Sequence, residues 1–163
     1  MKFTIITPNF NGSEYIEDCI RSVSRQNVVF EHIIIDGSST DSSLDILKKY
    51  PHLIVVSEDD NGMYDAINKG LIIAKGEFIS YLNVDDRYAE GALLRVENEF
   101  ENDINLDYVY GDCRLINHLG DKLYIYRVPA ISKSILSRIT VIPWAQPSVI
   151  YKKKVFDKIG NFD

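Results

Sequence analysis

The chain is poor in cysteine: Cys19 and Cys113 are the only two in 163 residues, far apart and in no metal-ligand spacing. That excludes a disulfide-stapled scaffold and a cysteine-based zinc fold, and suits buried thiols in a reducing compartment. No apolar run approaches the roughly 20 residues that cross a bilayer. Met1-Lys2 leads straight into Phe3-Thr4-Ile5-Ile6-Thr7, a run too short for the apolar region of a signal peptide. A cytoplasmic protein is the expectation. Positive charge is also scarce: eighteen Lys and Arg against twenty-four Asp and Glu leave a formal net charge of −6. The one dense basic run is Lys152-Lys153-Lys154, so the chain lacks the basic face of a nucleic-acid binder. Five prolines and nine glycines beside 45% hydrophobic content exclude a disordered or collagen-like chain. There is no Walker-type loop and no Gly-x-Gly-x-x-Gly after the first apolar run.

What is present is an alternation. Short apolar runs at Phe3–Thr7, His32–Ile35, Leu53–Val56, Phe78–Leu82 and Leu106–Tyr110 predict strands. Between them lie helical patterns. Ile16, Cys19, Ile20 and Val23 share one face behind Ser13, a predicted N-cap. Ser42 and Asp45 are spaced as a weak capping box for a helix that carries Leu44 and Leu47 and stops at Pro51. Met63, Ala66, Ile67, Leu71 and Ala74 form a third stripe with Gly76 as its predicted C-cap, and Glu90 to Phe100 a fourth. Uninterrupted Ile and Val runs mark strands covered on both faces. Strand and helix in turn give right-handed βαβ units, hence one α/β domain with an open, mostly parallel, Rossmann-like sheet and helices on both faces. Past Asp112, a hairpin is predicted around His118-Leu119-Gly120-Asp121, then an irregular stretch over 129–147. A last strand at Ser148–Tyr151 and a short helix at Lys153–Ile159 follow.

In such sheets ligands bind at the carboxyl ends of the strands. Four loops place polar residues there: Thr7-Pro8-Asn9-Phe10-Asn11-Gly12, Asp36-Gly37-Ser38-Ser39-Thr40-Asp41, Glu58-Asp59-Asp60-Asn61-Gly62 and Asn83-Val84-Asp85-Asp86. Adjacent Asp85 and Asp86 repel, and either solvent or a hard divalent cation, Mg²⁺ or Mn²⁺, relieves that repulsion. In an acidic chain without a phosphate loop, such a cation would bridge the protein to a diphosphate. Asp36 can accept from a base or ribose, and Phe10 offers a flat face for stacking. The three histidines, His32, His52 and His118, are expected at the surface or a strand edge. Trp144 and Gln146 are candidates for an acceptor-facing segment or for simple packing. Tyr108, Tyr110, Tyr124, Tyr126 and Tyr151 are expected to pack in strands. Lys152–Lys154 reads either as a contact with an anionic lipid surface or as a solvated helix start.

These loops, with Gly62-Met63-Tyr64-Asp65-Ala66-Ile67-Asn68-Lys69-Gly70, Gly76 through Asp86 and Gly160-Asn161-Phe162-Asp163, resemble the family 2 glycosyltransferases of GT-A fold. The motifs stand in that family's order from residue 3 to the last. The resemblance implies inverting transfer of a sugar from a nucleoside-diphosphate sugar, a UDP-sugar being favoured. The implied acceptor is a carbohydrate or lipid-linked molecule, in cell-surface polysaccharide or glycoconjugate synthesis. It implies that Pro8, Asn9, Phe10 and Asn11 line the base pocket and that Asp36 bonds the base edge. Asp60 and Lys69 would lie near the donor, Asp85 toward ribose or metal, and Asp86 on the metal. Asn83 departs from members that carry Asp two places before Asp85. The family's base usually lies beyond the Gly-x-Phe-Asp segment, where this chain stops. The expectation is a single domain, 1–163, lacking its acceptor and base segment, free in the cytoplasm or at the inner face of the membrane. Asp112 is the internal substitute to consider, as base, acceptor contact or turn residue. A non-catalytic nucleotide-sugar-binding module is the alternative. A nucleotidyltransferase is the weaker rival, since Asn9-Phe10-Asn11-Gly12 carries no positive charge to hold a triphosphate.

Overall fold

The computed structural model describes residues 2–130 and 144–162. Its strands are β1 (Phe3–Asn9), β2 (Phe30–Asp36), β3 (Ile54–Ser57), β4 (Phe78–Tyr81), β5 (Tyr108–Tyr110), β6 (Cys113–Ile116), β7 (Lys122–Tyr126) and β8 (Val149–Lys152). The helices are α1 (Ile16–Ser24), α2 (Ser43–Leu47), α3 (Met63–Ile73), α4 (Ala92–Asn102) and α5 (Lys154–Ile159). Six strands form one sheet in the order β3-β2-β1-β4-β8-β5, while β6 and β7 pair separately as a hairpin. β1, β2, β3 and β4 run parallel. β8 is antiparallel to both neighbours. Strand order reverses between β1 and β4, which opens a crevice at their carboxyl ends.

Burial on both faces explains the continuous apolar runs. Along β1, Phe3 and Ile5 pack with Cys19 and Val23 of α1 and Leu93 and Phe100 of α4. Ile6 points to the opposite face, where it meets Ala66, Ile67 and Leu71 of α3 together with Ile33 and Ile35 of β2. Ile34 returns to the first face and joins Ile16, Ile20 and Leu47. Period-two alternation along each strand therefore feeds two cores.

Several expectations are corrected. His32 is fully buried, not on the surface: Nε2 is 2.9 Å from Thr7 Oγ1, while Nδ1 has no partner. Burial pushes its imidazole down to about 3, so it is neutral. α1 starts at Ile16 without a side-chain cap, and Ser13 instead donates its backbone N–H to Asp41. α2 ends at Leu47, well before Pro51, and Asp45 pairs with Lys48 rather than closing a capping box. α3 ends at Ile73, with Ala74 after it in extended geometry; Gly76 serves a close approach, since a Cβ there would lie 2.5 Å from Thr4 N. Cys113 is only partly buried. Tyr124 and Tyr126 are exposed on β7. Most of the irregular stretch, 131–143, and Asp163 lie outside the described residues.

The basic run is engaged internally. Lys152 is buried, donating to Ile104 O at 2.6 Å with its ammonium over the Phe100 ring. Lys153 donates to Ala74 O at 2.6 Å, and Lys154 pairs with Asp107 at 2.8 Å. Lys152 is thus covered rather than solvated, while Lys153 is half-buried and Lys154 exposed.

Candidate functional site

At the crevice lies a cavity of about 550 Å³ lined by Pro8, Asn9 and Phe10 of the first loop, Gly37 of the second and Asp60 of the third. Gly62, Met63 and Ala66 at the start of α3 and Asn83, Val84 and Asp85 after β4 complete its wall. Phe10 is 68% exposed, a free aromatic face at the cavity's mouth. The close approach of Gly37 to Asp60 shapes the floor: a Cβ on Gly37 would lie 2.6 Å from Asp60 Oδ2.

Asp36 lies beneath the cavity, fully buried at the end of β2. Its Oδ1 accepts from Asn9 Nδ2 at 2.6 Å and from Ser39 Oγ at 2.6 Å. Its Oδ2 accepts from Ser57 Oγ at 2.8 Å and from Ser39 N at 3.1 Å. The acceptor positions of the carboxylate are filled by protein donors. Burial would raise its pKa, but the bonds from Ser39, Ser57 and Asn9 hold it below the usual carboxylate range.

Asn11 also faces the protein. It adopts a left-handed φ of 51°, and its Oδ1 accepts from Thr40 N at 2.8 Å and Asp41 N at 3.3 Å. Ser38, across from it, has φ of 59°. Strained backbone in both loops is held by these side-chain bonds. Lys69 on α3 is tied to Glu58 at 3.0 Å and to Asp59 O at 2.6 Å, bracing the loop that carries Asp60. So Pro8, Asn9, Phe10, Asp60 and Asp85 line the cavity, whereas Asn11, Asp36 and Lys69 shape the loops around it.

Asp85 is exposed on the cavity wall and Asp86 half-buried beside it. Burial, with the Asp85 charge next to it, pushes Asp86 up to about 6. Among the described residues no three His, Cys, Asp or Glu side chains converge as a ligand set. Two adjacent carboxylates fit a hard divalent cation only where further oxygens, from phosphate and water, complete its shell. Asp112 is exposed and accepts from Val128 N at 3.0 Å, capping the return of the hairpin. Trp144 stacks on Tyr110 at 4.9 Å.

Sequence reasoning missed Met63 and Ala66 as lining residues, because the stripe they belong to reads as core. It also missed the structural use of Gln146, whose Nε2 donates to Tyr81 O at 2.7 Å. The only signal was its place in an irregular segment before a strand.

A mostly parallel sheet whose strand order reverses between β1 and β4, with paired aspartates beyond β4, is a fold of the GT-A type. Residues 4–160 match the sequence profile of glycosyl transferase family 2, and the chain belongs to that family. It is 36% identical over 117 residues to a PGL/p-HBAD biosynthesis glycosyltransferase of Mycobacterium bovis, covering 68% of this chain and 46% of that one. It is 36% identical over 129 residues to the poly(ribitol-phosphate) beta-glucosyltransferase of Bacillus spizizenii, covering 74% and 20% respectively. Among solved structures, S. aureus TarS 1-349 in complex with UDP-GlcNAc superposes with a TM-score of 0.73 at 23% identity, over all of this chain and 49% of that one. The mannosyltransferase PcManGT from Pyrobaculum calidifontis, in complex with GDP-Man and Mn²⁺, gives 0.72 at 16%, over 99% and 47%. The chain spans less than half the length of each of these proteins.

Proposed function

We propose that this domain binds a nucleoside-diphosphate sugar, with a UDP-sugar favoured. It would donate that sugar to a carbohydrate or lipid-linked acceptor in cell-surface glycan synthesis. The observation that carries this is the meeting of Asp85, next to Asp86 in the chain, with the Phe10 loop at one 550 Å³ cavity, in a chain of this family. Relatives named for surface glycans and a neighbour crystallised with UDP-GlcNAc support the same reading.

In this reading the base stacks against Phe10 between Pro8 and Gly37. Asn9 and Asp36 hold the first and second loops apart at a fixed width. The diphosphate lies toward Asp85 and Asp86, which would hold Mg²⁺ or Mn²⁺ through their carboxylates. When bound, such a cation neutralises charge on the leaving diphosphate. Positive charge there would favour the ionised form of Asp86 against its burial and the neighbouring Asp85. Displacement in line inverts the anomeric carbon and needs no covalent enzyme intermediate.

Calorimetric titration with UDP in the presence of Mn²⁺ tests this. Binding is expected for the wild type, with loss when Mn²⁺ is chelated and for Asp86→Ala. Negligible heat from the wild type under the same conditions would overturn it.

A further inference from the structure

The strand end that leads to Asp85 and Asp86 is gripped by an amide from the turn that enters the neighbouring strand, β8. The β4 and β8 backbones pair only at Phe78 with Lys152 and Ile79 with Tyr151. Beyond that point the strands part. Ser80 Oγ reaches Val149 O at 3.4 Å, and one residue further the carbonyl of Tyr81 is met by Gln146 Nε2 at 2.7 Å. Gln146 opens the 3-10 turn Gln146–Ser148 that leads into β8. Its side chain thus supplies the donor that a continued β8 would have supplied.

That bond has a direction. A carbonyl oxygen only accepts, so the Gln146 amide must turn its nitrogen to Tyr81 and its oxygen away. The oxygen accepts from Asn83 Nδ2 at 3.3 Å. Asn83 is held by its backbone as well, since its carbonyl accepts from Asp86 N at 3.0 Å and lies 3.8 Å from Cys19 Sγ. The result is a chain running from Gln146 through Asn83 to the turn that carries the two carboxylates. Asn83 Oδ1 is buried without a partner, so its amide is kept in place by what Nδ2 gains.

We propose that Gln146 is a positioning residue for the Asp85–Asp86 turn, and that its orientation requires a neutral donor at position 83. An aspartate there would set a carboxylate oxygen against Gln146 Oε1 with no proton between them. The segment before β8 thereby fixes the donor-side turn. The inference rests on the reading of that turn as the diphosphate and cation site.

The test uses the 163-residue chain with Gln146→Glu, Gln146→Leu and Asn83→Asp. Gln146→Glu keeps the volume but, ionised, cannot donate to Tyr81. Amide hydrogen exchange is followed at Asp86 in the absence of nucleotide, and UDP affinity is measured with Mn²⁺. Exchange at Asp86 is expected to quicken about tenfold, the factor carried by one lost hydrogen bond of ordinary strength. UDP affinity is expected to weaken by about the same factor while the melting temperature moves by no more than about 3 °C. Combining Gln146→Leu with Asn83→Asp should add little, because both break one chain and neither sets a second charge beside the new carboxylate. Unchanged exchange at Asp86, equal acceleration in β1 and β2, or unchanged UDP affinity would overturn the proposal. If the wild type binds no UDP, the functional reading falls with it, while exchange at Asp86 still decides whether Gln146 holds the turn.

Discussion

Asn9 donates from Nδ2 to Asp36 Oδ1 at 2.6 Å, joining the last residue of β1 to the last residue of β2. Both side chains are buried, and the bond sets the width of the sheet edge over which the cavity opens. Replacing Asp36 by Asn puts a second amide against Asn9 and Ser39, where donors already converge. Asp36→Asn is expected to cost roughly 1–3 kcal/mol in urea denaturation, the range for a buried group left unpaired.

Gly37 faces Asp60 so closely that a methyl group must displace a carboxylate. Asp60 is only partly buried and can swing aside, into the cavity. Gly37→Ala should therefore leave stability within about 1 kcal/mol of wild type. It should weaken UDP binding by about tenfold, as a misplaced group in the pocket would. Calorimetry and denaturation together check the split.

At Gly76 the obstacle is backbone. A Cβ would lie 2.5 Å from Thr4 N and 2.6 Å from Phe3 C, on the strand at the centre of the sheet. Neither atom can rotate away. Gly76→Ala is expected to lose roughly 1–3 kcal/mol through overpacking, visible as a lower urea midpoint with the same slope.

His32 makes the fold sensitive to acid. Its folded value is held down at about 3 by burial, with a smaller contribution from His52, against 6.5 for the ordinary side chain. Between these values the unfolded chain takes up a proton that the folded chain does not, so stability falls as pH drops below 6.5 toward 3. The slope from this group approaches about 1.4 kcal/mol per pH unit. Urea midpoints at pH 7 and pH 5.5 should fall more steeply for the wild type than for His32→Gln. Parallel slopes would show that His32 is not the source.

The alternation of strands and helices was readable because each parallel strand is buried on both faces, which writes a run of Ile and Val such as Ile33-Ile34-Ile35. The same double burial hid His32. One residue earlier in that run, it looks like the polar edge of a strand, and only the Thr7 hydroxyl on the neighbouring strand explains it. Loop residues were placed correctly at the sheet edge, but their partners were not. Asn11, Asp36 and Lys69 bond to groups on other loops, and no local pattern tells a side chain that faces ligand from one that faces protein. Lys152, read as part of either a lipid-facing run or a solvated helix start, is covered because β8 enters the sheet between β4 and β5, a pairing that joins residues some seventy positions apart.

That insertion also orders the events of synthesis. Residues 3–81 contain every strand of the β3-β2-β1-β4 half and can pair as they emerge. β5 leaves the ribosome next but has no strand to join until residues 149–152 follow. For nearly seventy residues of elongation, the edge of β4 beside Phe78 and Ile79 stands unpaired, a sticky interval during which a growing chain is open to a neighbour's strand or a chaperone's grip.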